Sequence, residues 1–236
     1  MNYNLPLFRE NIKNAGVAVS EKTEAALDRF AAMLIETNEK FNLTAITDPD
    51  GIAVKHFADS LSPMAVYDFK DGTRVLDIGT GAGFPGMPLL TANPGINLTF
   101  MDSTGKKLDF VADCLSSLGL SAETLKARAE EAGKDGDYRE SFDIVISRAV
   151  APLNILCEYA LPFAKAGGVF IAMKGAGGKE ELEGAKNAIR TLGGKIRNDT
   201  EITLTDGERH LIVIEKTAAT PHIYPRAGGK IKKNPL

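Results

Sequence analysis

"RVLDIGTGAGFPGMPLL", residues 74–90, is the stretch on which the fold turns. Its opening residues, Arg74–Ile78, read as a buried strand, and four glycines and two prolines crowd the positions behind it. A glycine-rich loop placed after a strand lets a ligand approach the backbone closely. Two ligands compete for it. Gly81-Ala82-Gly83-Phe84-Pro85-Gly86 has the spacing of the dinucleotide fingerprint, which would make the chain an NAD(P)-dependent oxidoreductase. Asp77-Ile78-Gly79-Thr80-Gly81-Ala82-Gly83 has the form of the S-adenosylmethionine loop of Rossmann-like methyltransferases. With neither ligand, the glycines would only make a tight strand-to-helix turn.

The surroundings place this loop in an α/β protein. Up to about residue 66 the chain reads as helical. Leu27, Phe30, Met33, Leu34 and Phe41 recur at helical spacing after a Ser20 cap, and a second helix is predicted from Pro49 through Leu61. From residue 73 short apolar runs alternate with helical patterns. The strands read as Arg74–Ile78, Leu98–Asp102, Glu123–Ala127, Phe142–Ser147 and Gly168–Lys174, with helices at Lys106–Leu118, Pro152–Ala164 and Lys179–Leu192. Such alternation predicts a mostly parallel sheet covered on both faces. Lys195–Leu204 and His210–Lys216, joined through Asp206-Gly207, break it and predict a closing antiparallel hairpin. The expected division is a helical extension (1–66), a Rossmann-like core (67–217) and a basic tail (218–236) without regular structure.

Bulk properties narrow the class. An apolar content of 44% and a charged content of 25% are ordinary for a globular protein, and no apolar run is long enough to span a membrane. The start, Met1 to Pro6, lacks the basic and apolar segments of a signal peptide, so a cytoplasmic protein is expected, with Cys114 and Cys157 as reduced, buried thiols. His56, His210 and His222 lack ligand spacing, so no metal is expected. The net charge of −3 hides an asymmetry. Residues 217–236 carry Arg226, Lys230, Lys232 and Lys233 and no acid, whereas the rest holds 24 basic against 31 acidic residues. That is the footprint of either a nucleic-acid contact or a solubilising tail.

The prolines separate the two cofactors. A pyrophosphate needs free N–H groups in the first turn of the helix after the loop, where Pro85 and Pro88 supply none. S-adenosylmethionine has no phosphate and carries positive charge, so it loses little by their absence and gains from nearby acids such as Asp77. Asp102, closing the second strand, suits the ribose of either cofactor.

At this point the chain resembles one family, the bacterial small-subunit (16S) ribosomal RNA guanine-N7 methyltransferases, also called the glucose-inhibited division protein B family. The likeness runs through "FNLTAITDP", "VKHFADSL", "VLDIGTGAGFPGMPL", "ARAEE", "ISRAVAPL", "MKG" and "YPRAGGKIKKNPL". The tail departs from the family pattern at Ala227 and Ile231. The resemblance implies a monomeric enzyme that methylates 16S ribosomal RNA, free or in the small subunit, with S-adenosyl-L-methionine as cofactor. It implies that Asp77, Gly79, Thr80, Gly81, Gly83 and Phe84 wrap the cofactor, that Asp102 and Ser103 take the ribose, and that Ala129 and Glu130 frame the adenine. Arg148 would line the cofactor and substrate pocket. Lys55, His56, Lys174, Arg226, Lys230, Lys232 and Lys233 are the candidate RNA contacts. Guanine N7 has a lone pair and no proton, so no general base is expected. "SRAVAP" accordingly lacks the Asn/Asp-Pro-Pro-aromatic set used on exocyclic amines. A non-catalytic RNA-binding module remains as the reading of another class.

Overall fold

The structure, a computed structural model, describes residues 1–236. Helices α1 (Leu5–Asn14), α2 (Glu21–Asn38) and α3 (Pro49–Gly51) come first, and α3 runs on through a π-helical stretch, Ile52–Ala58, into α4 (Asp59–Leu61). Strand β1 (Arg74–Ile78) then alternates with α5 (Gly86–Ala92), β2 (Asn97–Asp102), α6 (Gly105–Leu118), β3 (Glu123–Lys126), α7 (Ala129–Ala132), β4 (Phe142–Arg148), α8 (Leu153–Ala160), β5 (Ala164–Lys174) and α9 (Gly178–Thr191). The chain ends with β6 (Gly194–Leu204), β7 (Gly207–Lys216) and α10 (Gly228–Lys233).

One seven-stranded sheet results, in the order β3-β2-β1-β4-β5-β7-β6. Strands β1 to β5 are parallel, and β7 lies antiparallel between β5 and β6. The chain reverses direction across the sheet between β1 and β4, which opens a crevice at their carboxyl ends where such sheets bind ligands. Strand alternation sends side chains to two cores. Val75 joins Phe8, Phe30, Phe57 and Phe84 under the N-terminal helices, whereas Leu76 and Ile78 join Leu156 and Leu182 under α8 and α9. Residues 1–66 therefore share a core with one face of the sheet.

The strand and helix readings agree with the structure to within a few residues, and Ser20 caps α2 by accepting the Thr23 amide at 3.1 Å. Phe41 is a correction. It lies past the end of α2 and is 48% exposed, with the Lys106 ammonium 5.2 Å from its ring centre. Asn38 Oδ1 accepts the Leu43 and Thr44 amides, which turns the chain and swings residue 41 off the apolar stripe.

The tail is a second correction. It is neither structureless nor loose: Ile231 on α10 is fully buried and Thr220 nearly so. Arg139 donates to the carbonyls of Thr220 (2.7 Å) and Tyr224 (2.9 Å), and the Thr220 amide donates to Glu140 (2.7 Å). Lys216 is buried, donating to Glu140 and to the carbonyls of Leu161 and Ala164, and burial pulls its pKa down. The anchors of the tail are isolated side chains in a Pro/Gly-rich segment, so no periodicity announced them. Cys114 and Cys157 are both buried free thiols, as expected.

Candidate active site

The loop after β1 is built on Asp77. Its Oδ2 accepts from Thr80 Oγ1 (2.6 Å) and from the Gly86 amide (2.9 Å), tying the loop to the start of α5. Asp77 is fully buried, its Oδ1 has no partner, and burial pushes its pKa up to about 6. Gly79, Gly81 and Gly83 all have positive φ, at 69°, 57° and 93°, which explains glycine at these positions. The first turn of α5 has no amide to spare. Gly86 donates to Asp77, Met87 to Gly83 O (2.7 Å), Leu89 to Pro85 O (3.3 Å), and Pro88 has no N–H.

Asp102, at the carboxyl end of β2, accepts from the Gly81 amide at 3.0 Å and the Thr104 amide at 2.8 Å, with Lys107 Nζ 4.0 Å away. It opens onto a cavity of about 570 Å³ that is also lined by Gly79, Ser103, Ala129 and Glu130. Five of the predicted cofactor residues thus meet here. The others do not line this cavity. Asp77 and Thr80 lie buried beneath the loop, and Gly83 packs against Met87, Val111 and Phe30. Gly81 is half-buried, with open space where a side chain would stand. Phe84 belongs to the core, stacked on His56 at 4.3 Å.

Sequence reasoning missed one wall of the cavity, formed by Gly228, Gly229 and Lys232 of the tail. A Cβ on Gly228 would collide with Glu130 Oε1, so the tail backbone lies flat against that carboxylate. The signal was the glycine pair inside "RAGGK", which needs an explanation that charge does not supply.

A second cavity, of about 680 Å³, shares the segment Ala149-Val150-Ala151 with the first. Ala149 has φ +56°, and a Cβ on Gly79 would stand 2.5 Å from Val150 Cγ2, so this segment is folded over the glycine loop. Arg148 lines the second cavity, not the first. Its guanidinium donates to Asp59 Oδ2 (2.7 Å) and Lys55 O (2.6 Å) and lies 5.2 Å over the Phe84 ring. Asp59 Oδ1 in turn accepts from Arg209, which also forks onto Asp206.

Of the expected RNA contacts, Lys55, Lys230, Lys232 and Lys233 are exposed, and none of them makes an ion pair. Three are engaged within the protein. Lys174 is buried, donating to Ala151 O (2.6 Å) and paired with Glu181 (2.8 Å). Arg226 is forked onto Glu158, a carboxylate with 0% exposure that needs a partner. His56 is buried in the π-helical stretch, where Nε2 meets Thr44 and Nδ1 has no partner. Burial and the neighbouring Arg148 push its pKa down to about 4, so it is neutral at pH 7.

Comparisons with known proteins match this picture. Residues 23–212 match the family model GidB, described as rRNA small subunit methyltransferase G. Curated relatives named ribosomal RNA small subunit methyltransferase G include one from Pelotomaculum thermopropionicum, 42% identical over 97% of each chain. Another, from Lactobacillus johnsonii, is 43% identical over 99% of this chain and 100% of that protein. Among solved structures, TrmN from Thermus thermophilus superposes with a TM-score of 0.53 at 20% identity, over 66% of this chain and 48% of that one. A ribosomal protein L11 methylase from Lactobacillus delbrueckii subsp. bulgaricus gives a TM-score of 0.53 at 14% identity, over 70% and 79%. The fold is that of the methyltransferases, and the chain belongs to the GidB family, the rRNA small subunit methyltransferases G.

Proposed function

We propose that the chain transfers the methyl group of S-adenosyl-L-methionine to N7 of a guanine in 16S ribosomal RNA, acting as a cytoplasmic monomer. One observation carries the choice of cofactor. Every amide in the first turn of α5 is consumed internally or absent, so that turn offers a pyrophosphate nothing, while the cavity beside it presents the carboxylates Asp102 and Glu130. That pair of acceptors fits a cationic adenosine cofactor, and a cavity of about 570 Å³ is of the size that small-molecule sites have. The unpartnered Oδ1 of Asp77 adds an acceptor behind the loop.

In this reading Asp102 and Ser103 hold the ribose, and Ala129 and Glu130 border the adenine. Gly79 and Gly81 keep the loop thin enough for close approach. Asp77, Thr80, Gly83 and Phe84 act from behind, fixing the loop's shape. Bound there, the cofactor supplies an electrophilic methyl group. Guanine N7 attacks with its in-plane lone pair, the sulfonium leaves as a neutral thioether, and the positive charge passes to the 7-methylguanine. No proton is removed, so the protein's task is to bring the two together in line. His56, neutral and with Nδ1 buried in the core, is accordingly no base. The segment Ala149–Ala151, common to both cavities, marks where the methyl group crosses. Lys55 on the helical arm and Lys230, Lys232 and Lys233 on the tail contact phosphates and position the RNA.

Small ribosomal subunits from cells lacking this protein, incubated with it and methyl-labelled S-adenosylmethionine, test the proposal. The label should sit on one guanosine of 16S RNA at which borohydride and aniline cleave the chain. Label in protein, or none in RNA, defeats it.

A further inference from the structure

Resting on that reading, we propose that the second cavity is the pocket for the acceptor base, and that Glu181 selects guanine there. Most charged groups lining the cavity are already committed. Arg148 and Arg209 are held by Asp59, and Lys174 is spent on Ala151 O and Glu181. Only Lys55 is exposed and without an ion pair, as a phosphate contact would be.

Glu181, in the first turn of α9, is different. Its Oε2 accepts from the Leu153 amide at 2.7 Å and lies 2.8 Å from Lys174 Nζ, which pins the carboxylate, while Oε1 takes no hydrogen bond. A fixed anionic acceptor in a cavity asks for a base with donors. Guanine has two, N1–H and the 2-amino group, on the edge away from N7. Adenine places a lone pair at N1 and would face the carboxylate with it. A guanine held by Glu181 therefore keeps N7 free to react. An arginine would do the opposite, since its fork reads O6 and N7 together and would cover the nucleophile. The pairing of Arg148 with Asp59 keeps that guanidinium occupied. Lys174 then serves as the group that fixes the reader.

Glu181→Gln is the test, because the amide can give its oxygen to Leu153 and Lys174 and turn its NH2 toward the cavity, replacing an acceptor by a donor. Guanosine and adenosine monophosphates are titrated calorimetrically into protein saturated with S-adenosylhomocysteine. Losing one charge-assisted hydrogen bond corresponds to about tenfold or more in affinity, so the wild type should prefer GMP by that ratio and the variant should lose it. Affinity for S-adenosylhomocysteine should be unaltered, the melting temperature should fall because buried Lys174 loses its counter-ion, and kcat/KM for small subunits should fall about tenfold or more. A wild type that binds both nucleotides equally or neither, or a variant that keeps the GMP preference, overturns the assignment of Glu181. If the wild type fails to bind S-adenosylhomocysteine, it is the proposed methyl transfer that falls.

Discussion

Arg226→Ala separates a structural tail from a purely RNA-binding one. In the native protein Glu158 is fully buried and receives Arg226 Nε at 2.9 Å, Nη2 at 2.6 Å and the residue 226 amide at 2.7 Å. Truncation removes the guanidinium and leaves a buried carboxylate with one amide. Breaking a buried pair in this way costs about 3–5 kcal/mol. The retained amide and the 21% exposure of the Arg226 side chain, which admits water, put this case near the lower end, at about 3 kcal/mol. For a chain of this size that is a drop in Tm of roughly 6–12 °C. Adding Glu158→Gln removes the stranded charge, so the double variant should recover about 1 kcal/mol or more relative to Arg226→Ala alone. Urea and thermal unfolding of the wild type, both single variants and the double variant complete the cycle. If Arg226→Ala unfolds like the wild type while its RNA binding weakens and loses salt dependence, Arg226 faces RNA and the structural account of the tail is wrong.

Asp102→Ala, which removes the proposed ribose acceptor, should weaken S-adenosylmethionine binding by about tenfold or more in calorimetry. Replacing Lys230, Lys232 and Lys233 by serine should leave the melting temperature unchanged and reduce the salt slope of RNA binding by up to about two, the value for three phosphate contacts on a single strand. His56→Gln keeps an atom for Thr44 and removes the titration. Because the folded pKa of about 4 lies below the ordinary 6.5, neutral His56 supports the fold above pH 6.5, and that support is lost as pH falls from there to about 4. Relative to the variant, the wild type should lose up to about 3 kcal/mol across that window in urea unfolding at a series of pH values.

The sheet, the glycine loop and the carboxylate at the end of the second strand were legible because all are local. The run 74–78, the glycines after it and Asp102 follow from strand periodicity and from backbone conformations that only certain residues adopt. What sequence did not disclose depends on contacts between distant residues. Arg148 meets Asp59 across 89 positions, and Arg226 meets Glu158 across 68, so neither partner is visible in the sequence around the arginine. Lys174 looked like an RNA contact for the same reason, and only its 2.8 Å approach to Glu181 gives it another task. Phe84 belonged to the core because Phe30 of α2 and His56 and Phe57 of the π-helical stretch pack around it, all of them on the helical arm before the sheet begins. The partition at residues 149–151 rests on a positive φ at an alanine, a conformation that its residue type does not announce.

The central claim is transfer to an acceptor that needs no base, and single-turnover methylation of small ribosomal subunits between pH 6 and 9 addresses it most directly. Mass spectrometry of the digested nucleosides identifies the product in the same reaction. The account predicts 7-methylguanosine, formed at a rate with no rising limb across that range. A methyl group on an exocyclic amine, on N1 or on a ribose oxygen would contradict it, because each of those acceptors must shed a proton whereas N7 attacks with a free lone pair.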